Sequence, residues 1–347
     1  MKVFQAIAPN QGAFIETQVP TPVEDQILVK VSYCGVCGTD YDLFSGESSF
    51  VKNKQATFPI RLGHEWSGVV AQVGPQVKGL KVGDRVIGDN YVSCGVCDAC
   101  RAGDYNNCTG RNHVGTIDPC WPGAYAEYYL APERHVYRLA DHVSLQEASM
   151  CEPLSVAYGG IKKMHITEDT VVAVIGTGPI ALSAAALALN LGGQVYVIGR
   201  NDFKLAIAQK LGIQGTINCS QSNVTEKLKE LTGGRLADCI LECSGNPTMI
   251  GEVINIAASK AKAAFIGFYN VNPKEVDFST MVAKEMTMIG IMGEYGNLEA
   301  VSKILAENDL KLSEIVTSVV PFEECGIALA PENPRRVVKT IVRIAGE

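Results

Sequence analysis

The length, composition and charge of the chain narrow the classes of protein to which it can belong. Its 347 residues exceed the size at which a single hydrophobic core usually stops growing, so two domains are predicted. An apolar content of 47% and a charged content of 19% are ordinary for a globular protein. The net charge of −7 argues against nucleic acid or an anionic membrane as the main partner.

The N-terminal residues, the cysteines and one apolar run bear on the cellular compartment. Residues 1–4 (MKVF) are not a basic region followed by an apolar run, so no signal peptide is predicted. The apolar run from 171 to 191 is interrupted by Gly176, Gly178 and Pro179, which indicates a strand, a turn and a helix rather than a membrane span. Twelve cysteines without a secretory signal are typical of thiols and metal ligands in a reducing compartment. We therefore expect a cytoplasmic protein without a membrane partner.

Strand and turn patterns dominate the first part of the chain, up to about residue 90. Residues 26–31 (QILVKV) have the alternation of a half-buried strand, and residues 68–74 (GVVAQVG) have it too. Residues 83–88 (GDRVIG) combine a turn with the start of another strand. Since no helical period dominates this stretch, it predicts a small, partly open β-barrel.

Four cysteines follow in a short polar stretch between residues 90 and 110. Their spacing is C-x2-C-x2-C-x7-C, and it comprises Cys94, Cys97, Cys100 and Cys108. Four thiolates so close in sequence can complete a tetrahedral shell around one zinc ion, and an iron–sulfur ligand set is the competing interpretation. The stretch is too polar to fold by burial alone. A structural zinc would supply the missing free energy of folding, on the order of 10 kcal/mol.

The second half of the chain has a different pattern. Residues 171–175 (VVAVI) form a continuous apolar run, followed by a glycine-rich turn and a helix-forming stretch at 182–191. Apolar strands that alternate with helices indicate a parallel sheet covered on both faces, which is a doubly wound α/β fold. The alternation continues with strands at 194–198, 238–241, 263–267 and 286–291 and a helix at 202–211. Residues 319–321 and 337–344 are predicted to rejoin the first domain as strands.

The glycine-rich turn has the sequence Gly176-x-Gly178-x-x-Ala181. This pattern matches the turn whose backbone amides bind a pyrophosphate at a helix N-terminus, and its third position accepts glycine or alanine. A lone match is weak, but this one follows an apolar strand and opens a helix, which is the required context. The cofactor-binding residues predicted in the turn are Gly176, Thr177, Gly178, Pro179 and Ile180.

A histidine and a glutamate are adjacent in residues 63–68 (GHEWSG), with Cys37 before them and Glu152 after them in the chain. One thiolate, one imidazole and one carboxylate, with a fourth position open, describe a catalytic zinc rather than a structural one. The alternative is a buried thiol at Cys37, a turn residue at His64 and a helix cap at Glu152. The histidines without ligand-spaced partners are predicted to be surface or core residues: His113, His135, His142 and His165.

The pattern G-H-E-x2-G-x5-G-x2-V, which starts at Gly63, reproduces the zinc signature of a known family. With the cysteine spacing and the glycine-rich turn, the whole chain resembles the zinc-dependent medium-chain dehydrogenases/reductases of the alcohol dehydrogenase superfamily. The most similar branch contains sorbitol, threonine and other polyol dehydrogenases. The resemblance implies a GroES-like, partly open β-barrel catalytic domain at 1–155 and 295–347, with a structural-zinc lobe at 90–110. It implies a Rossmann dinucleotide-binding domain at 156–294.

The same resemblance implies roles at the catalytic metal. Cys37 and His64 correspond to zinc ligands, and Glu152 lies where the polyol branch has a glutamate that binds zinc directly or through water. Cys151 is a rival ligand. Glu65 corresponds to a residue beside the metal that ligates it transiently. With Cys37 and Glu152 anionic and His64 neutral, the ligand set cancels the charge of zinc. Two zinc ions per chain are therefore expected, one catalytic and one structural.

Proton transfer is implied for two further residues. Zinc would lower the pKa of a bound alcohol, Thr39 would pass on its proton, and a nicotinamide cofactor would receive the hydride. Family members often have a histidine as the outer proton relay, where this chain has Asp42. An aspartate with its ordinary pKa of about 3.9 is a poorer relay at neutral pH.

The predicted function is the interconversion of a secondary alcohol and a ketone on a polyol, a sugar derivative or a cyclitol. Glu294 and Tyr295 lie near the position where this branch contacts its substrate, and Lys52, Lys54 and Arg61 are candidates for binding a phosphorylated one. The alternatives are an NAD-dependent threonine or amino-alcohol dehydrogenase, a non-catalytic protein that binds zinc and nucleotide, and a zinc-independent enone reductase. By analogy with the family, a small-molecule substrate and a homo-oligomer, either a dimer or a tetramer, are expected.

The cofactor preference is predicted from the end of the second strand of the α/β domain. NAD-selective folds have a carboxylate there that bonds the ribose hydroxyls, whereas NADP enzymes have an arginine nearby. In this chain Gly199 takes the position of the carboxylate and Arg200 follows it. Glycine leaves room for a 2′-phosphate, and arginine offers it a charge-assisted fork. NADP(H) is therefore predicted over NAD(H); the alternative is that Asp202 reaches the ribose instead.

Overall fold

A computed structural model of the chain describes residues 1–269, 271–272, 276–330 and 334–347. Its strands are β1 (Lys2–Ala8), β2 (Gln11–Glu16), β3 (Gln26–Gly35), β4 (Glu65–Val73), β5 (Arg85–Gly88), β6 (Tyr91–Val92), β7 (Asn112–Val114), β8 (Cys120–Trp121), β9 (Tyr128–Pro132), β10 (Val136–Arg138), β11 (Val171–Ile175), β12 (Gln194–Gly199), β13 (Gly215–Asn218), β14 (Ala237–Glu242), β15 (Ala257–Phe265), β16 (Thr287–Gly290), β17 (Val316–Pro321) and β18 (Lys339–Arg343).

The helices of the described residues are α1 (Gly38–Ser45), α2 (Ser49–Lys52), α3 (Asp98–Arg101), α4 (Leu145–Ala148), α5 (Cys151–Ile161), α6 (Pro179–Asn190), α7 (Asp202–Lys210), α8 (Val224–Thr232), α9 (Met249–Ile256), α10 (Phe278–Ala283), α11 (Asn297–Glu307) and α12 (Cys325–Ala328). Within the described ranges, none of these helices is both long enough and apolar enough to span a membrane.

A seven-stranded sheet contains the strands predicted near the N-terminus. Its order is β10-β5-β4-β3-β18-β17, and β9 also pairs with β3. The two C-terminal strands join this sheet as predicted, because β18 pairs antiparallel with β3 and parallel with β17. Its core includes Trp66 and Tyr129, whose ring centroids lie 4.8 Å apart. The sheet therefore has the predicted β-barrel character and brings the C-terminal residues beside β3 and β4.

A six-stranded parallel sheet forms the other half of the fold, in the order β13-β12-β11-β14-β15-β16. Numbered along the chain, this is the order 3-2-1-4-5-6 of dinucleotide-binding folds. Side chains alternate between the two faces of a strand. In β11, Val172 and Val174 accordingly pack into one hydrophobic cluster with α6, while Val171, Ala173 and Ile175 pack into another with α8 and α9. Helices on both faces explain why this strand is apolar at every position, as predicted.

The helix α1 was not predicted, because eight residues are too few to show a period in a strand-rich stretch. Its ends are well defined all the same. The carboxylate of Asp40 accepts a hydrogen bond from the backbone N–H of Cys37 at 2.9 Å, and Gly46 closes the helix with a φ of 78°. Leu43 and Phe44 bury the helix against the barrel. The helix fixes the positions of Cys37 and the residues that follow it.

The helix α5 connects the two halves of the fold. It packs against α6 and α11, and its first turn carries Glu152. The domain boundary that the sequence predicts, between residues 155 and 156, falls inside this helix. The division into residues 1–155 with 295–347 and residues 156–294 stays a prediction, and α5 is shared between the two units.

Candidate active site

Three potential metal ligands converge where the chain leaves β3 and enters β4. The sulfur of Cys37, a ring nitrogen of His64 and a carboxylate oxygen of Glu65 all lie within 4.8 Å of one another. Antiparallel pairing of β3 with β4 sets Gly35 opposite Glu65, which brings Cys37 beside the start of β4. His64 and Glu65 are 5% and 2% exposed. Buried polar and charged groups need partners, so these donor atoms fit a bound cation.

The carboxylate of Asp40 lies beside the imidazole of His64. Its Oδ1 lies 3.6 Å from Nδ1 of His64, and its Oδ2 accepts a hydrogen bond from the hydroxyl of Tyr125 at 3.2 Å. Burial alone would lower the pKa of His64, but the charges of Asp40, Cys37 and Glu152 outweigh it and raise that pKa well above its ordinary value. An anionic set that holds a proton on a buried imidazole would equally stabilise a metal ion there. A carboxylate behind a ligating histidine is also a common arrangement in metal sites.

Glu65 is held by a buried lysine from the C-terminal strand. Lys339 is 1% exposed; its Nζ forms an ion pair with the Glu65 carboxylate and donates to the carbonyl oxygen of Val36 at 3.0 Å. A Cβ at Gly35 would lie 2.2 Å from a Glu65 oxygen, so a side chain at this position would displace the carboxylate. The carboxylate therefore has a partner of its own, which agrees with a position beside the metal rather than a permanent place in its shell.

Glu152 faces the same region from the first turn of α5, but it lies outside the group of three. Its carboxylate accepts a hydrogen bond from Nδ2 of Asn90 at 2.6 Å, and burial raises its pKa to about 7. Cys151, the rival ligand, is 1% exposed and packs in the hydrophobic cluster beneath the parallel sheet. Burial raises the pKa of its thiol. This position favours Glu152 over Cys151 as the third ligand.

A cavity of about 290 Å³ opens onto these residues. We call it the catalytic cavity. One side is formed by Cys37, His64, Glu65, Glu152 and Lys339, and the other by apolar residues of the parallel-sheet half such as Ile266 and Ile291. Thr39 lines it, as its predicted role requires. Asp42 does not line it and its side chain is exposed, so the relay role of Asp42 stays a prediction without support from its position.

A second cleft of about 960 Å³ runs along the C-terminal ends of the parallel strands. We call it the cofactor cleft. Most of the predicted cofactor residues line it, namely Gly176, Thr177, Gly178, Gly199 and Arg200. The other two, Pro179 and Ile180, line the catalytic cavity instead. Because Gly178 and Pro179 are adjacent at the N-terminus of α6, the cleft and the cavity meet there. Gly176 has a φ of 120°, a conformation that favours glycine.

The four cysteines of the polar stretch, residues 94–108, form the other group of possible ligands among the described residues. We call this stretch the cysteine lobe. All twelve cysteines of the chain are free thiols in the structure. The sulfurs of Cys94 and Cys100 are 3.9 Å apart, close to the roughly 3.8 Å expected around one tetrahedral zinc with Zn–S bonds of about 2.3 Å. Backbone N–H groups of Cys100 and Thr109 lower the pKa of Cys97 to about 6. Burial raises the pKa of the neighbouring Cys100 thiol to about 11, so a bound cation would be needed to hold all four sulfurs as thiolates. Thiolates bound to a multi-iron cluster would be farther apart.

A buried hydrogen-bonded chain anchors the cysteine lobe. His135 is 1% exposed, and its ring nitrogens contact Asp89 Oδ2 and Ser93 Oγ, each at 2.8 Å. The residue types resemble a hydrolase triad, but Ser93 is 1% exposed and its Oγ also accepts from Nε of Arg134 at 3.1 Å. A hydroxyl with these partners cannot reach a substrate. Since Cys94 follows Ser93 directly, the chain fixes the base of the lobe, and His135 is the core residue that the sequence predicts.

Comparison with known proteins bears on what these sites do. The family model "Alcohol dehydrogenase GroES-like domain" matches residues 23–141, and the model "Zinc-binding dehydrogenase" matches residues 179–307. A sorbitol dehydrogenase from Halalkalibacterium halodurans is 32% identical to the chain, covering 89% of each protein. The chain belongs to the zinc-dependent medium-chain dehydrogenase/reductase family. It is an oxidoreductase of the alcohol and polyol dehydrogenase type with a GroES-like and a Rossmann-type part, as the sequence predicts.

Other members of the family have different substrates. A D-arabitol-phosphate dehydrogenase from Enterococcus avium is 30% identical, over 92% of this chain and 90% of its own length. An L-threonine 3-dehydrogenase from Bacillus velezensis is 32% identical, over 92% of this chain and 93% of its own length. Family membership therefore leaves the substrate open.

Solved structures of the family agree on the fold and include both cofactors. A zinc-binding dehydrogenase from Sinorhizobium meliloti bound to NADP has a TM-score of 0.88 and 25% identity, covering 99% of each chain. An alcohol dehydrogenase from Escherichia coli complexed with NADH has a TM-score of 0.87 and 28% identity, covering 99% of each chain. Galactitol-1-phosphate dehydrogenase from Escherichia coli has a TM-score of 0.88 and 26% identity, covering 99% of this chain and 100% of the other. A nicotinamide cofactor suits the dehydrogenase fold, but its type is not decided by these likenesses.

Sequence reasoning missed several residues of this dehydrogenase site. Asp40 could have been found, since it lies three residues after Cys37, at the spacing of a helix capping box. Lys339 also gave a signal, because it interrupts an apolar strand and a lysine in such a strand needs a buried partner. Asn90 gave none. Glu294, a predicted substrate contact, forms an ion pair with Lys162 and does not line the catalytic cavity.

Proposed function

We propose that this dehydrogenase interconverts a secondary alcohol and a ketone on a polyol, sugar derivative or cyclitol, with NADP(H) favoured over NAD(H). The observation that carries the proposal is the junction at the N-terminus of α6. There a cavity lined by Cys37, His64 and Thr39 meets a cleft lined by Gly176 and Gly178. This arrangement suits a substrate hydroxyl beside the metal ligands and a nicotinamide beside the substrate.

The residues of the chain have separate tasks in this reaction. Cys37 and His64 would hold a catalytic zinc with Glu152. Glu65 would stay paired with Lys339 except when it ligates the metal transiently. When bound, the metal would supply a Lewis acid that lowers the pKa of the substrate hydroxyl, and the dinucleotide would supply the hydride acceptor.

Proton transfer and exclusion of water follow from the lining of the catalytic cavity. Oγ1 of Thr39 accepts a hydrogen bond from the substrate hydroxyl and relays its proton, releasing its own hydroxyl proton to solvent as the alcohol is oxidised; in the other direction the relay is reversed and Oγ1 donates. Ile180, Ile266 and Ile291 line the side towards the parallel sheet and exclude water from the reacting carbon.

A substrate panel tests the proposal. Zinc-loaded protein is assayed with polyols, polyol phosphates, cyclitols and L-threonine, each with NADP⁺ and NAD⁺, and metal content is measured in parallel. We expect two zinc ions per chain and oxidation of at least one polyol-type substrate. Preference for threonine would favour the amino-alcohol alternative. Two zinc ions without any turnover would favour a non-catalytic binding protein, and absence of zinc would favour an enone reductase.

The preference for NADP(H) is supported by the charges along the cofactor cleft. Its described lining residues include Arg200, Lys204 and Arg335 but no carboxylate. Asp202, the alternative ribose ligand, does not line the cleft. Its carboxylate accepts hydrogen bonds from side-chain amides of Asn218 and Gln221, at 2.6 and 3.2 Å. A cleft with cations and without an acid favours the additional phosphate of NADP.

Replacing Arg200 by leucine should lower kcat/KM for NADP⁺ roughly 10- to 100-fold, because a charge-assisted hydrogen bond to phosphate is lost. The value for NAD⁺ should change less than about twofold. Gly199→Asp is a less clean test, since a Cβ there would lie 2.4 Å from Cγ2 of Thr177. Lys229→Leu, an exposed change on α8, is the control. An unchanged cofactor ratio in Arg200→Leu, or a parent that prefers NAD⁺, would refute the assignment.

A homodimer is proposed from the edge of the parallel sheet. The strand β16 lies at one edge of the sheet, and no other strand of the described residues pairs with its outer side. The preceding helix α10 exposes Phe278 and Val282, which are 62% and 69% accessible and lie one turn apart. An apolar face beside an unpaired strand edge is a typical association surface.

Replacing both Phe278 and Val282 by glutamate should convert the dimer into a monomer, because charges would be buried at the interface. Analytical ultracentrifugation of the parent and the variant measures the change. Val23→Glu, at an exposed apolar residue of the other half, is the matched control and should leave the mass unchanged. A parent that sediments as a monomer would count against the dimer itself.

A further inference from the structure

Arg111 places a positive charge on the wall of the catalytic cavity. Among the described residues, no carboxylate forms an ion pair with it. Arg111 precedes β7 and lines the cavity. Its guanidinium carbon lies 4.5 Å from the centre of the Tyr91 ring, and Nη2 donates to the carbonyl oxygen of Asn106. A guanidinium has five N–H donors, so most of them stay available for a ligand.

The small sheet of β6, β7 and β8 sets three side chains towards the cavity. Tyr91 in β6 pairs with His113 in β7, and directly paired residues of an antiparallel ladder share a face. Arg111 immediately precedes β7, and its stacking on the Tyr91 ring places its guanidinium on the same side. All three line the cavity. Tyr91 is 4% exposed, and its hydroxyl lacks a hydrogen-bond partner among the described residues.

The other charges of the catalytic cavity cancel. With zinc bound, the thiolate of Cys37 and the carboxylate of Glu152 neutralise its two positive charges, and the imidazole ligand is neutral. Glu65 and Lys339 form an ion pair with each other. The guanidinium of Arg111 is what remains, so the described lining of the cavity has a net charge of about +1. Such a cavity favours an anionic substrate.

The basic residues that the sequence analysis considered for a phosphorylated substrate do not have this position. Neither Lys52, Lys54 nor Arg61 lines the catalytic cavity. Lys52 is paired with Glu47 at 2.7 Å on the surface. The cavity's own carboxylates are Glu65 and Glu152 among the described residues, and both have partners, so no acid is free to bind the ammonium group of an amino alcohol.

We propose that the substrate of this dehydrogenase is the phosphate monoester of a polyol, and that Arg111 binds the phosphate. This inference rests on the proposed function and names its substrate class. The planar fork of an arginine matches two phosphate oxygens, which a neutral polyol cannot offer. His113 supplies a further hydrogen-bond donor on the same face, and the Tyr91 ring supports the guanidinium. With the hydroxyl to be oxidised at Cys37 and His64, the phosphate anchors the far end of the substrate.

The test compares matched pairs of polyols. Zinc-loaded full-length protein is assayed with sorbitol and sorbitol 6-phosphate, galactitol and galactitol 1-phosphate, and D-arabitol and D-arabitol 5-phosphate, with gluconate as a carboxylate. We expect kcat/KM for the best phosphate to exceed that for its neutral polyol at least roughly tenfold. Arg111→Leu should lower the value for the phosphate roughly 10- to 100-fold and change that for the polyol less than about twofold. Arg111→Lys should recover part of the loss.

Two controls separate this effect from a general loss of structure. Arg343→Leu removes an exposed arginine of the same half and should leave the ratio of phosphate to polyol unchanged. Zinc content and melting temperature of Arg111→Leu should equal those of the parent. An equal or better value for neutral polyols or gluconate, or an unchanged ratio in Arg111→Leu, would overturn the proposal while leaving the dehydrogenase function intact.

A binding measurement does not depend on turnover. Calorimetry of inorganic phosphate is performed on zinc-loaded protein saturated with NADP⁺, so that the cations of the cofactor cleft are already occupied. We expect binding by the parent and at least tenfold weaker binding by Arg111→Leu. If no alcohol of the panel is oxidised, the proposed function fails, yet this difference in phosphate binding would still support the anion site. Equal binding by both proteins would contradict it.

Discussion

Replacement of Cys37 by serine, or of His64 by alanine, is expected to lower kcat at least about 1,000-fold and to leave the chain folded. Both side chains lie in the group of three ligands at the catalytic cavity, away from the cysteine lobe. A metal held there would supply several kcal/mol of stabilisation to the developing charge, and each 1.36 kcal/mol corresponds to about a tenfold change in rate. Steady-state kinetics and metal analysis together measure the effect, with one zinc per chain lost and one retained.

Two further variants are needed to interpret this result. Cys120→Ser changes a half-buried thiol outside both ligand groups and should leave turnover and zinc content as in the parent. Asp40→Asn removes the negative charge beside the His64 imidazole, so zinc affinity should fall roughly 10- to 100-fold while the ligands stay intact. Full activity of Cys37→Ser after verified mutation would mean that the catalytic metal is elsewhere or absent.

Replacement of Cys97 by serine is expected to have the largest effect on stability. The cysteine lobe has few apolar residues to bury, and its four thiols are held in ligand geometry by backbone N–H groups. Loss of the proposed zinc would remove several kcal/mol of folding free energy, which should lower the melting temperature by about 10 °C or cause aggregation. Thermal unfolding with and without a chelator measures this, and metal analysis should show the other zinc retained in protein that stays in solution.

A comparison of the two proposed metal sites tests this prediction more strictly. Cys37→Ser should lose activity with a melting temperature near that of the parent, whereas Cys97→Ser should lose stability first. Cys120→Ser serves again as the thiol control. If Cys97→Ser were as stable as the parent and retained both zinc ions, the cysteine lobe would not be a structural metal site.

The sequence by itself determined those features that short segments specify. The apolar run of β11, the glycine-rich turn before α6 and the spacing of four cysteines each depend on neighbours within about fifteen residues. Periodicity, turn chemistry and ligand spacing are local properties, so these elements were predicted at or near their observed bounds. Short elements were missed for the same reason: α1 and the four-residue strand β13 are too brief to show a period.

Only the tertiary structure decided which side chains surround the reacting atoms. Glu65 meets Lys339 although 274 residues separate them, because β18 returns to pair with β3. Arg111 faces the catalytic cavity because β7 pairs with β6, whereas Asp42, which the sequence places near the site, is exposed on α1. Register and long-range strand pairing fix these contacts, and burial then determines which charges need partners. A sequence pattern contains neither the pairing nor the burial, so the charge of the substrate site became visible only in the folded chain.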